Sequence, residues 1–218
     1  MQRTIDYTYL LQNMLGTPKT NLVNNIQLSQ INSKPVQAQL KAAGIDTNSK
    51  QYKAVMSQMM KDGNGAMFTN VHAIKNLMRQ YDKNGDWIDP TTGLTGLLLT
   101  DENINSRKRV IPIPESSREE MFESTKREFL RENGVHNGDT TRRSEVYTNL
   151  YRKMKKDDRL AAGWTMQQFE RQCSRVFVAA VKAADPTWTA GRQIPAGALD
   201  GITRQDVENA LRSVDTKV

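Results

Sequence analysis

Apolar residues recur along most of this chain at three- and four-residue intervals, the period that gathers side chains on one side of an α-helix. Tyr52, Val55, Met56, Met59 and Met60 predict a helix from about Ser49 to Lys61. Val71, Ile74, Leu77, Met78 and Tyr81 predict another, with Thr69 as its cap. In the C-terminal half Val146, Tyr147, Leu150, Tyr151 and Met154 form one stripe. Met166, Phe169, Cys173, Val176, Phe177, Ala180 and Val181 form the longest one, predicting a helix from Met166 to Ala184. Val207, Ala210 and Leu211 mark a final helix capped by Thr203.

Start and stop signals frame these stripes. Ser33 with Pro35 opens a short helix that Gly44 closes, and Gly63 and Gly65 supply the positive φ a C-cap favours. Ser116 with Glu119, or Ser117 with Glu120, fits a capping box for a helix reaching about Glu132 and ending at Gly134. Thr140 or Thr141 starts the next, Thr165 with Gln168 fits a further capping box, and Asp185-Pro186 ends the long helix.

Two stretches lack helical period. Residues 1–32 are rich in Asn, Gln and Thr and read as a mobile polar arm with one apolar cluster, Ile5, Tyr7, Leu10, Leu11 and Met14. After Tyr81 the stretch "DWIDPTTGLTGLLLTDENINSRKRVIPIP" is mostly irregular. Its apolar runs Leu97 to Leu99 and Val110 to Ile113 fit at most a minor edge hairpin, since Pro112 cannot donate to a ladder. The predicted fold is mainly α, an irregular helical bundle. The arm spans 1–32, a small helical unit 33–115, and a C-terminal helical unit 116–218.

Composition narrows the chemistry. With 218 residues, 37% hydrophobic and 25% charged, the chain can build a core, and no apolar run approaches a membrane span. The N-terminus makes a poor signal peptide, because Gln12 and Asn13 interrupt its short apolar cluster and no small-residue cleavage site follows. A cytoplasmic location, or export without a cleaved leader, is expected. Net charge is +7, but acids and bases interleave; in "SSREEMFESTKREFLREN" they fall at helix-neighbour spacing, which describes a solvated face. Arg152, Lys153, Lys155 and Lys156 cluster where they complement a helix C-terminus. Nucleic-acid binding through basic helix faces is an alternative without a module motif behind it.

Catalytic signatures are sparse. His72 has no acidic or cysteine partner at ligand spacing, and His136 sits in a turn near Asp139 without a glycine-framed nucleophile. Cys173, the single cysteine, has core-facing spacing and reads as a small hydrophobe. Trp164 and Trp188 read as anchors, each beside a helix boundary or loop. The expectation is a non-catalytic protein without a required cofactor.

One stretch suggests a ligand. "YDKNGDWIDP" carries Asp82, Asn84 and Asp86 at the first, third and fifth positions of an EF-hand-like calcium loop, after a helix. The match then fails: Trp87 occupies the glycine position, and Gly93 stands where the bidentate glutamate belongs. Asp89 is a candidate late ligand if the loop contracts. A weak Ca²⁺ site from Asp82, Asn84, Asp86 and Asp89 therefore competes with a plain Asn84-Gly85 turn closed by Asp82.

Several segments, "GIDTNSKQYKAVMSQMMKDGNGAMFTNVHAIKNLMRQYDKNGDWIDP", "ENGVHNGDTTRRSEVY", "DDRLAAGWTMQQFERQ" and "VKAADPTW", resemble an uncharacterised family of clostridial and related Firmicutes proteins, a domain of unknown function. The resemblance runs from about Ile45 to the end and implies no activity and no site residues. "IDYTYLLQNMLG" also loosely resembles leaders associated with flagellar export. The expected role is protein–protein interaction or assembly with an unidentified protein partner, the arm being a docking or export element.

Overall fold

The computed structural model describes residues 30–62, 70–135, 138 and 140–215. The predicted arm lies outside this range but for its last residues, as do Gly63, Gly65, Thr69, His136 and Asp139. Among the described residues there are seven α-helices, two short 3₁₀ segments and no strand. The helices are α1 Lys34–Ala42, α2 Lys50–Lys61, α3 Val71–Met78, α4 Glu115–Arg131, α5 Thr141–Lys153, α6 Arg159–Ala184 and α7 Arg204–Asp215. The chain divides into two compact units, Met1–Thr95 and Gly96–Val218, so residues 96–114 belong with the C-terminal helices.

In the first unit the predicted stripes meet. Leu40, Ile45, Tyr52, Val55, Met56, Met59, Ile74 and Tyr81 form one buried cluster. Ser49 caps α2 by accepting from the Tyr52 amide at 3.1 Å. Asn70 caps α3 by accepting from Ala73 at 3.1 Å. Gln51 Nε2 donates to the carbonyls of Met78 and Tyr81, each at 2.6 Å, tying α2 to the end of α3. Ser33 precedes α1 but makes no capping bond to it; its hydroxyl donates to the Gln30 carbonyl.

In the second unit α6 is the axis on which α4, α5 and α7 pack. Met166, Phe169, Cys173, Phe177 and Val181 are all buried, as their spacing requires. Phe177 touches Phe122 and Phe129 edge-on or tilted, with ring centres 5.6 and 5.5 Å apart. Trp188 continues the cluster, 6.2 Å from Phe129, and its indole N–H donates to the Arg192 carbonyl at 3.0 Å. Aromatic edge contacts of this kind add to what burial alone contributes.

Two predicted capping boxes are not formed. α4 begins at Glu115 after Pro114, and Ser117 is buried inside it. A proline fixed near helical φ starts this helix without a side-chain cap. α6 begins at Arg159, about two turns earlier than the predicted start at Met166. Thr165 is interior: its hydroxyl donates to the Ala161 carbonyl at 2.8 Å and accepts from the Ile111 amide at 3.1 Å. Gly163 lies inside this helix where a Cβ would meet the Tyr151 hydroxyl at 2.6 Å, so the glycine admits close packing of α5. At α7 the anticipated Thr203 boundary holds, with its amide and hydroxyl donating to Asp206 Oδ2 at 2.8 and 2.6 Å. Those bonds, hydroxyl first, hold the Asp206 carboxyl below the usual range.

The anticipated hairpin is absent among the described residues. Ile111 bonds Thr165 instead of a strand, and Leu98 offers its carbonyl to Asn103 Nδ2 at 2.9 Å. The isolated antiparallel bridge lies elsewhere, between Tyr81 and Trp87.

Gly134 closes α4 with φ +78°, and a Cβ there would meet the Trp188 ring at 2.6 Å. Gly134→Ala should therefore destabilise the protein by about 1–3 kcal/mol in urea unfolding followed by circular dichroism. Gly201→Ala, where a Cβ meets nothing within 4 Å, should be close to neutral. Equal effects would show that neither the φ nor the Trp188 contact limits stability.

Candidate functional site

The calcium-like stretch folds as two successive turns. In the first, Asp82 Oδ1 accepts from the Asn84 and Asp86 amides at 2.8 and 2.9 Å. The Asp82 amide donates to the Asp86 carbonyl at 2.8 Å, and Ile88 N–H donates to Gln80 at 2.8 Å. Gly85, at φ +82°, lies where a Cβ would meet the Lys50 carbonyl at 2.8 Å, so only glycine lets this turn rest on α2. In the second, Asp89 Oδ1 accepts from the Thr91 and Thr92 amides and the Thr92 hydroxyl at 2.9, 2.7 and 3.0 Å. Asp82, Asn84 and Asp86 thus share one turn, while Asp89 organises the next. Both carboxylates satisfy backbone amides, the local role that makes Asp common in turns. Among the described residues no group of three or more His, Cys, Asp or Glu is placed to hold a metal ion.

A second polar constellation lies inside the C-terminal unit, unanticipated from sequence. Arg143 of α5 stands between two carboxylates, its Nε paired with Glu128 of α4 and its Nη1 with Glu170 of α6. Tyr147, one turn on along α5, donates its hydroxyl to Glu170 Oε2 at 2.8 Å. The side chains of Arg143 and Glu128 are 11% and 5% exposed. Burial alone would lower the Arg143 pKa, but the bond and charge of Glu170, then those of Glu128, raise it above its usual value. Burial, and then the Glu170 charge, push the Tyr147 hydroxyl and the Cys173 thiol far up. Both therefore stay protonated at neutral pH, and the thiol is no ready nucleophile. Buried charges in this setting need their partners more than the fold needs the pair.

A third feature is a cluster of ion pairs where α7 meets α4. Arg204 contacts Glu115, Glu119 and Glu208, and Arg118 reaches Glu208 at 2.9 Å and the Ile113 carbonyl. In the basic cluster at the end of α5, Lys153 Nζ stands 3.5 Å from the Ser116 hydroxyl. His72 is exposed on α3. A depression of about 370 Å³ is lined by Thr141, Ser144, Glu145, Thr148, Asn149 and Arg152, all from α5, so a single helix walls it. Among the described residues no helix is long and apolar enough to cross a membrane.

Four of the five exposed large apolar residues among the described ones lie on one segment ahead of α4, the fifth being Leu130. Leu98, Leu99, Ile104 and Val110 are 40%, 42%, 37% and 76% exposed. Their backbone is closed by polar bonds: Asn103 Oδ1 accepts from Thr100 at 2.9 Å and Asn103 Nδ2 donates to Leu98. Arg109 pairs with Asp158, and Arg107 lies over the Trp164 ring at 5.8 Å.

Taken together these features define a helical protein with a charge-pinned C-terminal bundle and an apolar surface turn. The chain belongs to the family described as a domain of unknown function, DUF3879, whose model matches residues 45–218. No curated protein and no solved structure matches it.

Two tests follow from these geometries. Arg143→Met should cost about 3 kcal/mol, since it leaves the buried Glu128 and the half-buried Glu170 without their shared cation, and adding Glu128→Gln and Glu170→Gln should recover most of that loss. No recovery would mean that Arg143 acts through packing alone. Asp82→Ala should lower stability by about 1 kcal/mol by releasing two amides, equally with and without millimolar Ca²⁺. A calorimetric calcium signal that disappears in that variant would make the turn a metal site.

Proposed function

We propose that this protein is a non-catalytic interaction or assembly module whose contact surface is the apolar turn at residues 98–110. The observation that carries this reading is the concentration of exposed large hydrophobics there: Leu98, Leu99, Ile104 and Val110, with Leu130 alone elsewhere among the described residues. Scattered exposed apolar residues are ordinary, whereas several on one short segment mark a contact site. The turn is held by its own hydrogen bonds and clipped to the α6 region by Arg109 and Ile111, so little ordering is required when a partner arrives.

The state of the polar groups supports the same reading. Cys173 is buried and Tyr147 half-buried, both protonated, and Asp82 and Asp89 cap turns. Arg118, Arg143 and Arg204 are drawn into carboxylate pairs instead of forming an anion-binding face. The bacterial, Firmicutes-type setting implied by the sequence resemblance is part of this proposal.

A photo-crosslinking residue in place of Val110, in cells that produce the protein naturally, should yield a discrete adduct. The same residue in place of Arg175, exposed on α6, should not. Equal labelling at both positions would overturn the assignment of the surface.

A further inference from the structure

We propose that residues 98–110 bind the same segment of a second copy of this chain in an antiparallel, two-fold arrangement; this rests on the interaction reading above and names its partner. Ile104 N–H donates to the Thr100 carbonyl at 3.0 Å, Arg107 to Asn103 at 3.0 Å and Lys108 to Asn105 at 3.1 Å. Residues 100–108 therefore form a short helical coil that ends in the 3₁₀ turn Ser106–Lys108. Asp101, Ile104 and Lys108 stand three and four residues apart on it, the spacing that brings side chains to one side.

Along this coil the exposed residues follow a polarity pattern that is its own complement when reversed. Leu98 and Leu99 come first, then Asp101 and Glu102, then Ile104, Asn105 and Ser106, then Lys108 and Arg109, then Val110. The apolar positions are arranged about Ile104 nearly symmetrically, while the charges on its two sides are opposite. An isologous contact requires that residue i of one copy meet residue j of the other, and j meet i. Antiparallel pairing centred on Ile104 satisfies this condition: Leu98 and Leu99 meet the other copy's Val110, and Asp101 and Glu102 meet its Lys108. Parallel pairing would set acid on acid and base on base. Arg107 and Arg109 do not enter the pattern, being engaged with Trp164 and Asp158.

A unit with acids in its first turn and bases in its last is also favourable for the coil's own dipole. That local benefit does not account for the leucines and valine left in water on either side. The contact is small, which places it among weak, concentration-dependent interfaces.

The test is sedimentation velocity on the purified full chain from about 5 to about 500 µM, the range in which a weak interface populates its dimer. The expected result is a monomer–dimer equilibrium that Leu99→Asp or Val110→Asp weakens at least about tenfold, with melting temperature unchanged. Lys108→Glu alone, and Asp101→Lys with Glu102→Lys, should each weaken dimerisation, and the three substitutions combined should restore it. A chain monomeric throughout overturns the inference. So does a dimer indifferent to both apolar substitutions, or a charge reversal that does not rescue. If the chain is monomeric yet the Val110 crosslinker captures a different protein, the interaction reading stands and only the second copy is excluded. A monomer with no adduct removes both.

Discussion

The guanidinium of Arg143 is the point at which three helices of the C-terminal unit are made to agree. It faces Glu128 on α4 and Glu170 on α6 from its own place on α5. Apolar packing of Phe122, Phe129 and Phe177 draws these helices together, but such contacts tolerate sliding and repacking. A buried charge does not, because each displacement leaves a desolvated ion without its partner. The Tyr147 hydroxyl, bonded to Glu170, extends the constraint by one turn of α5. Arg204, with Glu115, Glu119 and Glu208, repeats the device at the more exposed junction of α7 with α4. There solvent screens the outer carboxylates, so the deeper Arg143 cluster sets the register more firmly.

The helices were legible in the sequence because their stripes are long and strongly periodic. The boundaries were less so. Thr165 with Gln168 has the spacing of a capping box, yet the helix extends upstream through the buried Ala161 and Ala162 and through Gly163, which packs against Tyr151. Ser117 is likewise buried, its capping pattern overridden by a helix that Pro114 starts. Tertiary packing outweighed local propensity in both places. The Asx turn at Asp82 was legible as one of two readings, since the same alternating carboxylates serve either a metal or the backbone.

The buried charges were missed because the segment containing Glu128 reads as a solvated face. A signal was nevertheless present. Glu128 continues the line of Met121 and Thr125 at four and three residues, both buried. Arg143 precedes the buried Val146 and Leu150 by three and seven. Glu170 follows the buried Met166 by four. Opposite charges standing in the core stripes of three successive helices mark an internal ion pair, and a count of net charge averages that information away.

The apolar turn differs from these sites in what its residues do for the fold. Asn103 closes it from within by bonding Thr100 and Leu98, and Arg109 and Ile111 fasten its end to Asp158 and Thr165. Its conformation is held by these polar bonds and by Ile111 and Ile113, which pack on the core. The chain is lean in apolar residues, at 37%, and among the described residues every phenylalanine is buried. The exposed parts of Leu98, Leu99, Ile104 and Val110 carry a steady hydration cost. Polar residues would close the same turn and remove that cost. Burial against another surface is the state in which these side chains lower the free energy of the protein, and that asymmetry is the physical case for contact at this turn.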